Sequence, residues 1–540
     1  MTLSRRAFLS VASSAAAVKA QGSRPPNFLV ILADDMGYSD AGCYGGEIRT
    51  PNIDALAKDG VRFTQGYSTA RCGPSRSCLT TGYYAQQTAS DVMTAGRIPA
   101  WTRFVPQYLK SAGYRSYHSG KWHIRFRPLS GTSFDKSYVV SDQMRTFGPR
   151  QHFEDDQPLP GGGRDYYASI NIADHAVRCL QDHARNDAGK PFFHYLAFTA
   201  PHFPLHALEK DIREYEAQFS EGWDAIREKR HSRMRRMGLV NCALSGLEPD
   251  IKPDWNLTEE ELRTRVGPGE VGRAVPWSSL TQEQKELQRI KMAIHAAMIT
   301  RMDAEIGRVV AQLKAMNEFD NTLVVFVSDN GASAEQMIRG DGHDPNQPAG
   351  SAMTHLCLGP GWSSAANTPF RRHKAWVHEG GISSPWIMHW PAGRLATGKL
   401  VHTPCHLIDV LPTVLELSGA EPRIAEDAPP LPGRSLAAAM RTGASIARDH
   451  LYFHHNNNRA LRAGNWKLVS AGKDGPWELY DMKKDRSEMH NLAGSSPAIA
   501  AQLARKWQST EDGYVQGRES AKSYRADAPE LQPLGRAAAR

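Results

Sequence analysis

The chain has 540 residues, of which 41% are hydrophobic and 23% charged, and an excess of Lys and Arg over Asp and Glu gives a formal net charge of +8. This length excludes a single minimal domain and allows a large buried core, and the composition is that of an ordinary globular protein. The mildly basic balance suits anionic substrates, and no nucleic-acid-binding motif accompanies it.

The first 20 residues have the organisation of an export signal. Arg5 and Arg6 precede an Ala- and Ser-rich stretch, and Val18-Lys19-Ala20 offers a small-residue cleavage site. The paired arginines are typical of the twin-arginine type, so we predict a periplasmic or extracellular protein. A disordered tail or a short membrane anchor is the alternative. No later segment approaches 18 consecutive apolar residues, so we expect no membrane span.

Apolar runs alternate with amphipathic segments along residues 25–431, which we predict to be the catalytic region. Strands are expected at 28–33, 114–119, 192–199, 322–328 and 385–390, and helices at 51–58, 105–111, 165–184 and 290–316. This alternation is typical of an α/β fold in which helices cover both faces of a large, mostly parallel or mixed sheet. Residues from about 205 to 287 are polar and charge-rich, and we interpret them as an insertion.

The pattern changes after about residue 432. Short strands near residues 451, 460, 466 and 477 are joined by turn residues, and a helix is expected at 497–508. We therefore predict a smaller C-terminal α+β subdomain at 432–518 with an antiparallel sheet. Residues 519–540 are expected to form a loosely ordered tail.

Oxygen-bearing side chains follow two of the predicted strands directly. Asp34 and Asp35 come after the first strand, and Asp329 and Asn330 come after the strand at 322–328. In open parallel sheets, sites form outside the carboxyl ends of the strands, so these side chains converge if the two strands are neighbours. Four hard oxygen ligands suit Ca²⁺ or Mg²⁺ rather than zinc. For either pair alone, a turn or a helix cap is the ordinary alternative.

Cationic side chains follow other predicted strands at the same edge. Lys121 and His123 lie in Gly120-Lys-Trp-His, and His202 lies in a Pro-His-Phe-Pro segment. Lys374 lies in a second basic segment further along the chain. Each alone is more often a surface cation or a buried structural histidine. Together with a metal, such a set is the usual protein environment for a tetrahedral oxyanion.

The most specific segment is Cys72-Gly-Pro-Ser-Arg-Ser-Cys-Leu-Thr-Thr-Gly82. It resembles the signature of the formylglycine-dependent type I sulfatases, of the alkaline-phosphatase-like superfamily, at every fixed position of the pattern. The Asp-Asp, Gly-Lys-Trp-His, Pro-His-x-Pro and Ser-Asp-Asn-Gly segments also resemble that family and occur in its chain order. A buried structural cysteine beside a helix start is the alternative. The resemblance implies a sulfatase with an alkaline-phosphatase-like fold.

The resemblance also implies a modified nucleophile and a bound cation. In that family the motif cysteine is oxidised to formylglycine, whose hydrate attacks sulfur with one hydroxyl and expels sulfate by deprotonation of the other. Carried over, Cys72 is the precursor of this aldehyde, and a formylglycine-generating enzyme or maturase is an expected partner. The implied ligands of the cation, Ca²⁺ rather than Mg²⁺, are Asp34, Asp35, Cys72, Asp329 and Asn330.

The same resemblance assigns roles to the remaining polar residues. Arg76 is expected to stabilise the hydrated aldehyde, and His123 is the candidate base for sulfate release. Lys121, Lys374 and His202 are expected to bind sulfate oxygens, and either His202 or Lys374 could protonate the leaving oxygen.

Three questions stay open at this stage. A phosphate or phosphonate monoester hydrolase on the same scaffold is the nearest alternative function, and a non-catalytic protein that binds sulfated glycans is a more distant one. The substrate class is open among aryl sulfates, sulfated sugars and sulfated polymers, with carbohydrate sulfates favoured. A basic run at 227–236 could bind a sulfated polymer, although a solvated helix face is the simpler interpretation.

Overall fold

The computed structural model describes residues 24–91, 97–163 and 165–524. Its strands are β1 (Asn27–Ala33), β2 (Val61–Phe63), β3 (Gly66–Tyr67), β4 (Arg115–Gly120), β5 (Lys136–Val140), β6 (His152–Glu154), β7 (Gln157–Pro158), β8 (Phe192–Ala197), β9 (Thr322–Ser328), β10 (Trp386–His389), β11 (Leu400–Val401), β12 (Cys405–His406), β13 (Leu451–His455), β14 (Asn458–Ala463), β15 (Trp466–Ser470) and β16 (Glu478–Asp481). Its helices are α1 (Pro51–Lys58), α2 (Cys72–Thr81), α3 (Val105–Leu109), α4 (Pro128–Thr132), α5 (Ala168–Asn186), α6 (Glu209–Arg213), α7 (Gly222–Arg236), α8 (Glu259–Glu261), α9 (Gln282–Ala315), α10 (Gly359–Ala366), α11 (Glu379–Ile382), α12 (Val410–Ser418), α13 (Ala437–Thr442) and α14 (Pro497–Ser520).

The main sheet has ten strands in the order β11-β2-β10-β9-β1-β8-β4-β5-β6-β7. Its centre is parallel, since β1 pairs in parallel with both β8 and β9, and β4 pairs in parallel with β8. Side chains of β1 alternate between the two faces. Leu29 and Ile31 pack into one hydrophobic core, whereas Val30 and Leu32 pack into the other. Burial on both faces explains why β1 is a continuous apolar run, and the architecture confirms the predicted α/β fold class.

Strand β10 runs antiparallel to β9, so the sheet is mixed. Trp386 pairs with Val327 at the carboxyl end of β9, and His389 pairs with Val324 further back. The chain from residue 329 to 385 therefore leaves the sheet at the carboxyl end of β9 and returns to it at the same end, where β10 begins. This path keeps a long connection beside the carboxyl ends of the strands, where α10 and α11 also lie.

Helix α9 starts eight residues before the predicted position of 290. The hydroxyl of Thr281 accepts a hydrogen bond from the Gln284 backbone, and the Gln284 side chain accepts one from the Thr281 backbone, which is a capping box. The first turns are mostly polar, so apolar periodicity alone does not indicate them.

The basic run at 227–236 lies on α7 and is only partly solvated. Arg230 is fully buried and pairs with Asp40 at 2.8 Å and with Glu47 at 2.7 Å. Arg227 is also buried and donates to the carbonyl of Ser245. The interpretation of this run as a solvated face is therefore wrong for these two arginines, and Arg230 holds α7 against the segment that follows β1.

Strands β13 to β16 form a separate antiparallel sheet in sequential order, as the short strands of the C-terminal region predict. Helix α14 packs against β14 and β15 and continues to Ser520, beyond the predicted end at residue 508. Trp507 of α14 is buried in the hydrophobic core that also contains Val30 and Leu32 of β1. The division of the chain into 25–431 and 432–518 stays a prediction.

The predicted export signal at 1–20 and most of the predicted tail at 519–540 lie outside the described residues. All seven cysteines are described, buried and free of disulfide bonds. None of the helices in the described part of the chain combines the length and the apolar character that crossing a bilayer requires.

Candidate active site

The carboxyl ends of β1 and β9 bring the four oxygen-bearing residues together. Ala33 pairs with Ser328, so Asp34 and Asp329 leave the sheet at the same level. The backbone N–H of Asp35 donates to Asp329 Oδ1 at 3.2 Å, and the side chain of Asn330 donates to Asp35 Oδ1 at 2.7 Å. All four side chains are buried. The neighbour relation on which the predicted metal site depends is therefore present.

Cys72 lies at the N-terminus of α2 and faces these carboxylates. Its sulfur and one carboxylate oxygen each of Asp34 and Asp329 lie within 4.8 Å of one another. The hydroxyl of Ser75 accepts a hydrogen bond from the backbone N–H of Thr69 at 3.0 Å, and this contact ties the segment before α2 to its first turn. The first N–H groups of a helix have no intrahelical partner and favour anions, so residue 72 lies where an oxyanion is stabilised.

Arg76, one turn further along α2, crosslinks the site. Its guanidinium donates twice to Asp329 Oδ2, at 3.1 and 2.9 Å, and once to the carbonyl of Lys121 at 2.8 Å. It is fully buried, as is Asp34, which lies 3.6 Å from it. Because Arg76 retains its charge under all ordinary conditions, it offsets part of the negative charge of the buried carboxylates.

Electrostatics and unpaired oxygens at this edge fit a divalent cation. Burial and the nearby Asp34 carboxylate raise the pKa of Asp329 well above its usual value. The pKa of Asp34 is lowered, because Lys121, His202 and Arg76 together outweigh its burial. Among the described residues, neither Asp34 Oδ1 nor Asn330 Oδ1 has a hydrogen-bond partner, although both are buried. Two unpaired acceptors beside mutually repelling carboxylates are the donor set that Ca²⁺ or Mg²⁺ prefers.

Both predicted sulfate-binding lysines reach this edge of the sheet. Lys121, directly after β4, lies 2.6 Å from Asp34 Oδ2, and Lys374 lies 2.8 Å from Asp35 Oδ2. Lys374 also lies 3.2 Å from Glu335. Although burial works against its charge, the carboxylates of Asp35 and Glu335 raise the pKa of Lys374 above its usual value. Lys374 is therefore a buried cation at neutral pH.

The two predicted histidines adjoin the same site. His202 Nε2 lies 3.7 Å from Asp35 Oδ2, and burial together with Lys374 lowers the pKa of His202 to about 4. Burial and the nearby Lys121 lower the pKa of His123 well below its usual value, so this imidazole is neutral. His123 Nδ1 has no hydrogen-bond partner in the described part of the chain.

A cavity of about 380 Å³ opens onto Cys72, His123, His202 and Lys374. Its wall also contains residues that the sequence did not single out, namely Arg71, Trp255, Glu335 and His455. Arg71 and Glu335 pair at 3.1 Å and adjoin predicted motifs in sequence, which was their available signal. Trp255 and His455 come from the predicted insertion and the C-terminal sheet, far from any motif.

A family model described as "Sulfatase" matches residues 26–420, which is well over half of the chain. The chain belongs to the sulfatase family. It is therefore a sulfuric ester hydrolase, as the Cys72 signature predicts. A second family model, the C-terminal region of N-sulphoglucosamine sulphohydrolase, matches residues 371–512. The arylsulfatase of Klebsiella aerogenes is 31% identical over 433 residues, covering 74% of this chain and 87% of the relative.

Solved structures of other proteins share the fold of this sulfatase. A protein in complex with its substrate D-glucosamine-2-N,6-O-disulfate has a TM-score of 0.64 at 22% identity, over 92% of this chain and all of that one. The phosphonate monoester hydrolase of Agrobacterium radiobacter has a TM-score of 0.58 at 20% identity, over 91% of this chain and 96% of that one. At these identities the likeness establishes the fold alone.

Proposed function

We propose that this sulfatase hydrolyses sulfate monoesters of carbohydrates, with a formylglycine made from Cys72 as the nucleophile and Ca²⁺ as the cation. The observation that carries the proposal is the position of Cys72 at the head of α2, with its sulfur beside the carboxylates of Asp34 and Asp329. A side chain at that position is within reach of both a bound cation and an ester in the cavity.

Two groups supply chemistry that unmodified side chains lack. A cation held by Asp34, Asp35, Asp329 and Asn330 would supply a Lewis-acid charge that offsets negative charge on the sulfate and the nucleophile. A hydrated formylglycine would supply one hydroxyl to attack sulfur and a second whose deprotonation releases sulfate.

The chain's own residues bind the ester and move its protons. Lys121 and Lys374, both buried cations on the rim of the site, bind the sulfate oxygens and favour the charge that develops in the transition state. His123, whose neutral imidazole has an unpaired Nδ1, accepts the proton for sulfate release. A sulfate beside His202 raises the pKa of that imidazole, so His202 is one candidate proton donor to the leaving oxygen, and Lys374 is the other.

Mass spectrometry of the Cys72 peptide tests the nucleophile. We expect the mass of an aldehyde in place of the thiol, together with hydrolysis of 4-nitrophenyl sulfate. The Cys72→Ala and Cys72→Ser variants should fold normally and lose turnover, because neither offers a second hydroxyl. Cys78→Ala is the matched control, since Cys78 lies buried on the same helix but packs into a hydrophobic core. An active enzyme with an unmodified thiol at Cys72 would refute the mechanism.

The Agrobacterium neighbour makes a phosphonate or phosphate ester the specific rival substrate. The test compares kcat/KM for 4-nitrophenyl sulfate with kcat/KM for 4-nitrophenyl phosphate and for a phenylphosphonate ester of the same alcohol. A larger kcat/KM for the sulfate supports the proposal, and a larger value for either phosphorus ester contradicts it.

Export through residues 1–20 and maturation by a formylglycine-generating enzyme or maturase are further parts of the proposal. N-terminal sequencing of the protein from the cell exterior or periplasm, with cleavage after Ala20, would support export. Expression with and without the maturing enzyme should change the aldehyde content of the Cys72 peptide.

A further inference from the structure

Trp255 is an exposed aromatic side chain on the wall of the active-site cavity. It lies between α7 and α8, its side chain is 45% exposed, and it is one of three large exposed apolar residues in the described chain. Its indole N–H donates to Glu335 Oε1 at 3.0 Å, and the guanidinium carbon of Arg71 lies 5.6 Å from its ring centre. These contacts hold the indole in one orientation at the cavity wall, where an aromatic face is available to pack against a ligand.

His455 lies on the same wall and comes from the end of β13. Its side chain is 5% exposed, yet neither ring nitrogen has a hydrogen-bond partner among the described residues. Burial and the charge of Arg71 lower its pKa to about 3, so the imidazole is neutral, with one donor and one acceptor. A buried polar group without a partner is costly, and a ligand hydroxyl, itself a donor and an acceptor, would satisfy it.

We propose that Trp255 and His455 form the subsite for the leaving group, and that this subsite takes a pyranose ring. The C–H face of the sugar packs on the Trp255 indole, and a ring hydroxyl pairs with the His455 imidazole. A cavity of about 380 Å³ is at the small end of ligand-binding pockets, which fits a single sugar ring with its sulfate. The inference rests on the proposed function, because it names the alcohol that the sulfatase releases.

The position of the two residues supports this role. Both lie outside the strand ends that hold the sulfate-binding set, one in the predicted insertion and one in the hairpin of the C-terminal sheet. A scaffold that keeps its chemistry at the strand ends commonly varies its specificity through such peripheral segments. Asn456, in the turn after His455, has φ of +51° and also lines the cavity, so the hairpin turn itself reaches the substrate.

The test compares monosaccharide 3-, 4- and 6-sulfates with 4-nitrophenyl sulfate, which has an aromatic leaving group without ring hydroxyls. The variants are Trp255→Ala, Trp255→Phe, His455→Phe and His455→Gln, with Met489→Ala as the control because Met489 is similarly exposed but does not line the cavity. We expect the wild type to prefer at least one sugar sulfate. His455→Phe should raise KM for that sugar by about tenfold or more relative to 4-nitrophenyl sulfate, which has no ring hydroxyl, since tenfold corresponds to about 1.4 kcal/mol. Trp255→Ala should raise KM for both substrates, because a nitrophenyl ring also stacks on an indole.

The conservative variants separate binding from folding. Trp255→Phe should recover part of the lost affinity because it retains a stacking ring, and His455→Gln should do the same because it retains a donor and an acceptor. Equal changes for the sugar and aryl substrates in His455→Phe, or an unchanged KM for the sugar in either Trp255→Ala or His455→Phe, would overturn the assignment. A wild type that cleaves only 4-nitrophenyl sulfate would also overturn it while leaving the sulfatase proposal intact. Absence of all sulfate hydrolysis by enzyme that carries the aldehyde would instead refute the proposed function.

Discussion

Arg76 and Asp329 form a fully buried ion pair in which two guanidinium nitrogens donate to one carboxylate oxygen, at 3.1 and 2.9 Å. Because Arg76 also donates to the carbonyl of Lys121, this one side chain connects the first turns of α2 with the ends of β9 and β4. Arg76 thus links the helix that carries Cys72 to Asp329, a proposed metal ligand, and to Lys121, a proposed sulfate-binding residue.

Replacing Arg76 by Met should destabilise the fold as well as the site. The change leaves Asp329 buried without its partner, which typically costs about 3–5 kcal/mol in the free energy of unfolding. Arg76→Lys should recover little, because an ammonium group cannot reproduce the forked contact. Denaturant unfolding measures the loss. Arg178→Met is the control, since Arg178 is 56% exposed and its pair with Glu154 spans 3.4 Å, so its loss should cost under about 1 kcal/mol. Equal stability losses in both variants would contradict the crosslink.

Calcium should stabilise the protein through the carboxylates at the ends of β1 and β9. A ligand that binds only the folded state at 100 times its Kd adds about 2.7 kcal/mol, which a thermal-shift titration after chelation detects without any substrate. Asp329→Asn removes one ligand charge and should weaken calcium binding by at least about tenfold, since charge count tunes such sites. Asp409→Asn is the control, because Asp409 is equally buried but pairs with Arg448 elsewhere. An unchanged calcium response in Asp329→Asn would refute the proposed ligand set.

The identity of the proton donor can be read from leaving-group dependence. A general acid matters most when the leaving alcohol is a poor one, so losing it harms a sugar sulfate more than 4-nitrophenyl sulfate. We expect His202→Gln or Lys374→Met to show this difference in kcat, with a loss of about 10²-fold or more for the sugar, in the range that general acids contribute. The other variant should lose activity toward both substrates to a similar extent, because the residue that it replaces only binds sulfate oxygens. Similar losses for both substrates in both variants would exclude these two residues as the acid.

The sheet could be predicted from sequence where burial alone decides the pattern. β1, β8 and β9 are continuous apolar runs because both of their faces are covered, and each was located to within about two residues. The direction of β10 could not be predicted in this way. It depends on the path of residues 329–385, which return to the edge they left, and no local pattern specifies such a path.

The active site likewise contains residues that a local sequence pattern predicts and residues that no local pattern predicts. Asp34 and Asp329 could be paired from sequence because each follows a buried strand, and parallel neighbours place such residues at one edge. The roles assigned to these residues stay predictions. Trp255 and His455 carry no local signal, because their approach to Cys72 depends on how an insertion and a C-terminal hairpin fold over the sheet. Arg227 and Arg230 show the converse, since a charged run that looks solvated is partly buried by tertiary ion pairs.

Acid should destabilise the fold through histidines that are buried as neutral rings. His118 on β4 packs among Trp122, Phe134 and Tyr195, and burial lowers its pKa to about 3. The unfolded chain takes up a proton near pH 6.5 that the folded protein refuses until about pH 3, so the contribution of His118 is complete above pH 6.5 and is lost as the pH falls. His118→Phe should therefore flatten the dependence of unfolding free energy on pH by about 1.4 kcal/mol per pH unit between roughly pH 4 and 6.

Urea unfolding at several pH values measures that slope. His490→Phe is the control for the substitution itself, because the His490 side chain is 80% exposed. An identical slope for wild type and His118→Phe would mean that the folded protein binds a proton at this site.

Lys467 should couple the C-terminal sheet to the loop that carries Lys374. Its ammonium group lies 2.9 Å from Glu379 and 2.8 Å from Glu488, and all three side chains are fully buried. Glu379 begins α11, five residues after Lys374. Lys467→Met leaves the buried carboxylate of Glu488 without this cation and leaves Glu379 paired with Arg486, 2.8 Å away. We expect a loss of about 3–5 kcal/mol in unfolding free energy, as for other broken buried pairs.

Lys484→Met provides the comparison, because Lys484 is 82% exposed and lies 3.8 Å from Asp481. Its loss should change the unfolding free energy by less than about 1 kcal/mol. If Lys467→Met instead melts the C-terminal sheet alone, in a separate transition that leaves 4-nitrophenyl sulfate hydrolysis intact, then residues 432–518 are an independent unit. A single transition with a parallel loss of kcat/KM would mean that the catalytic loop depends on the C-terminal sheet for its position.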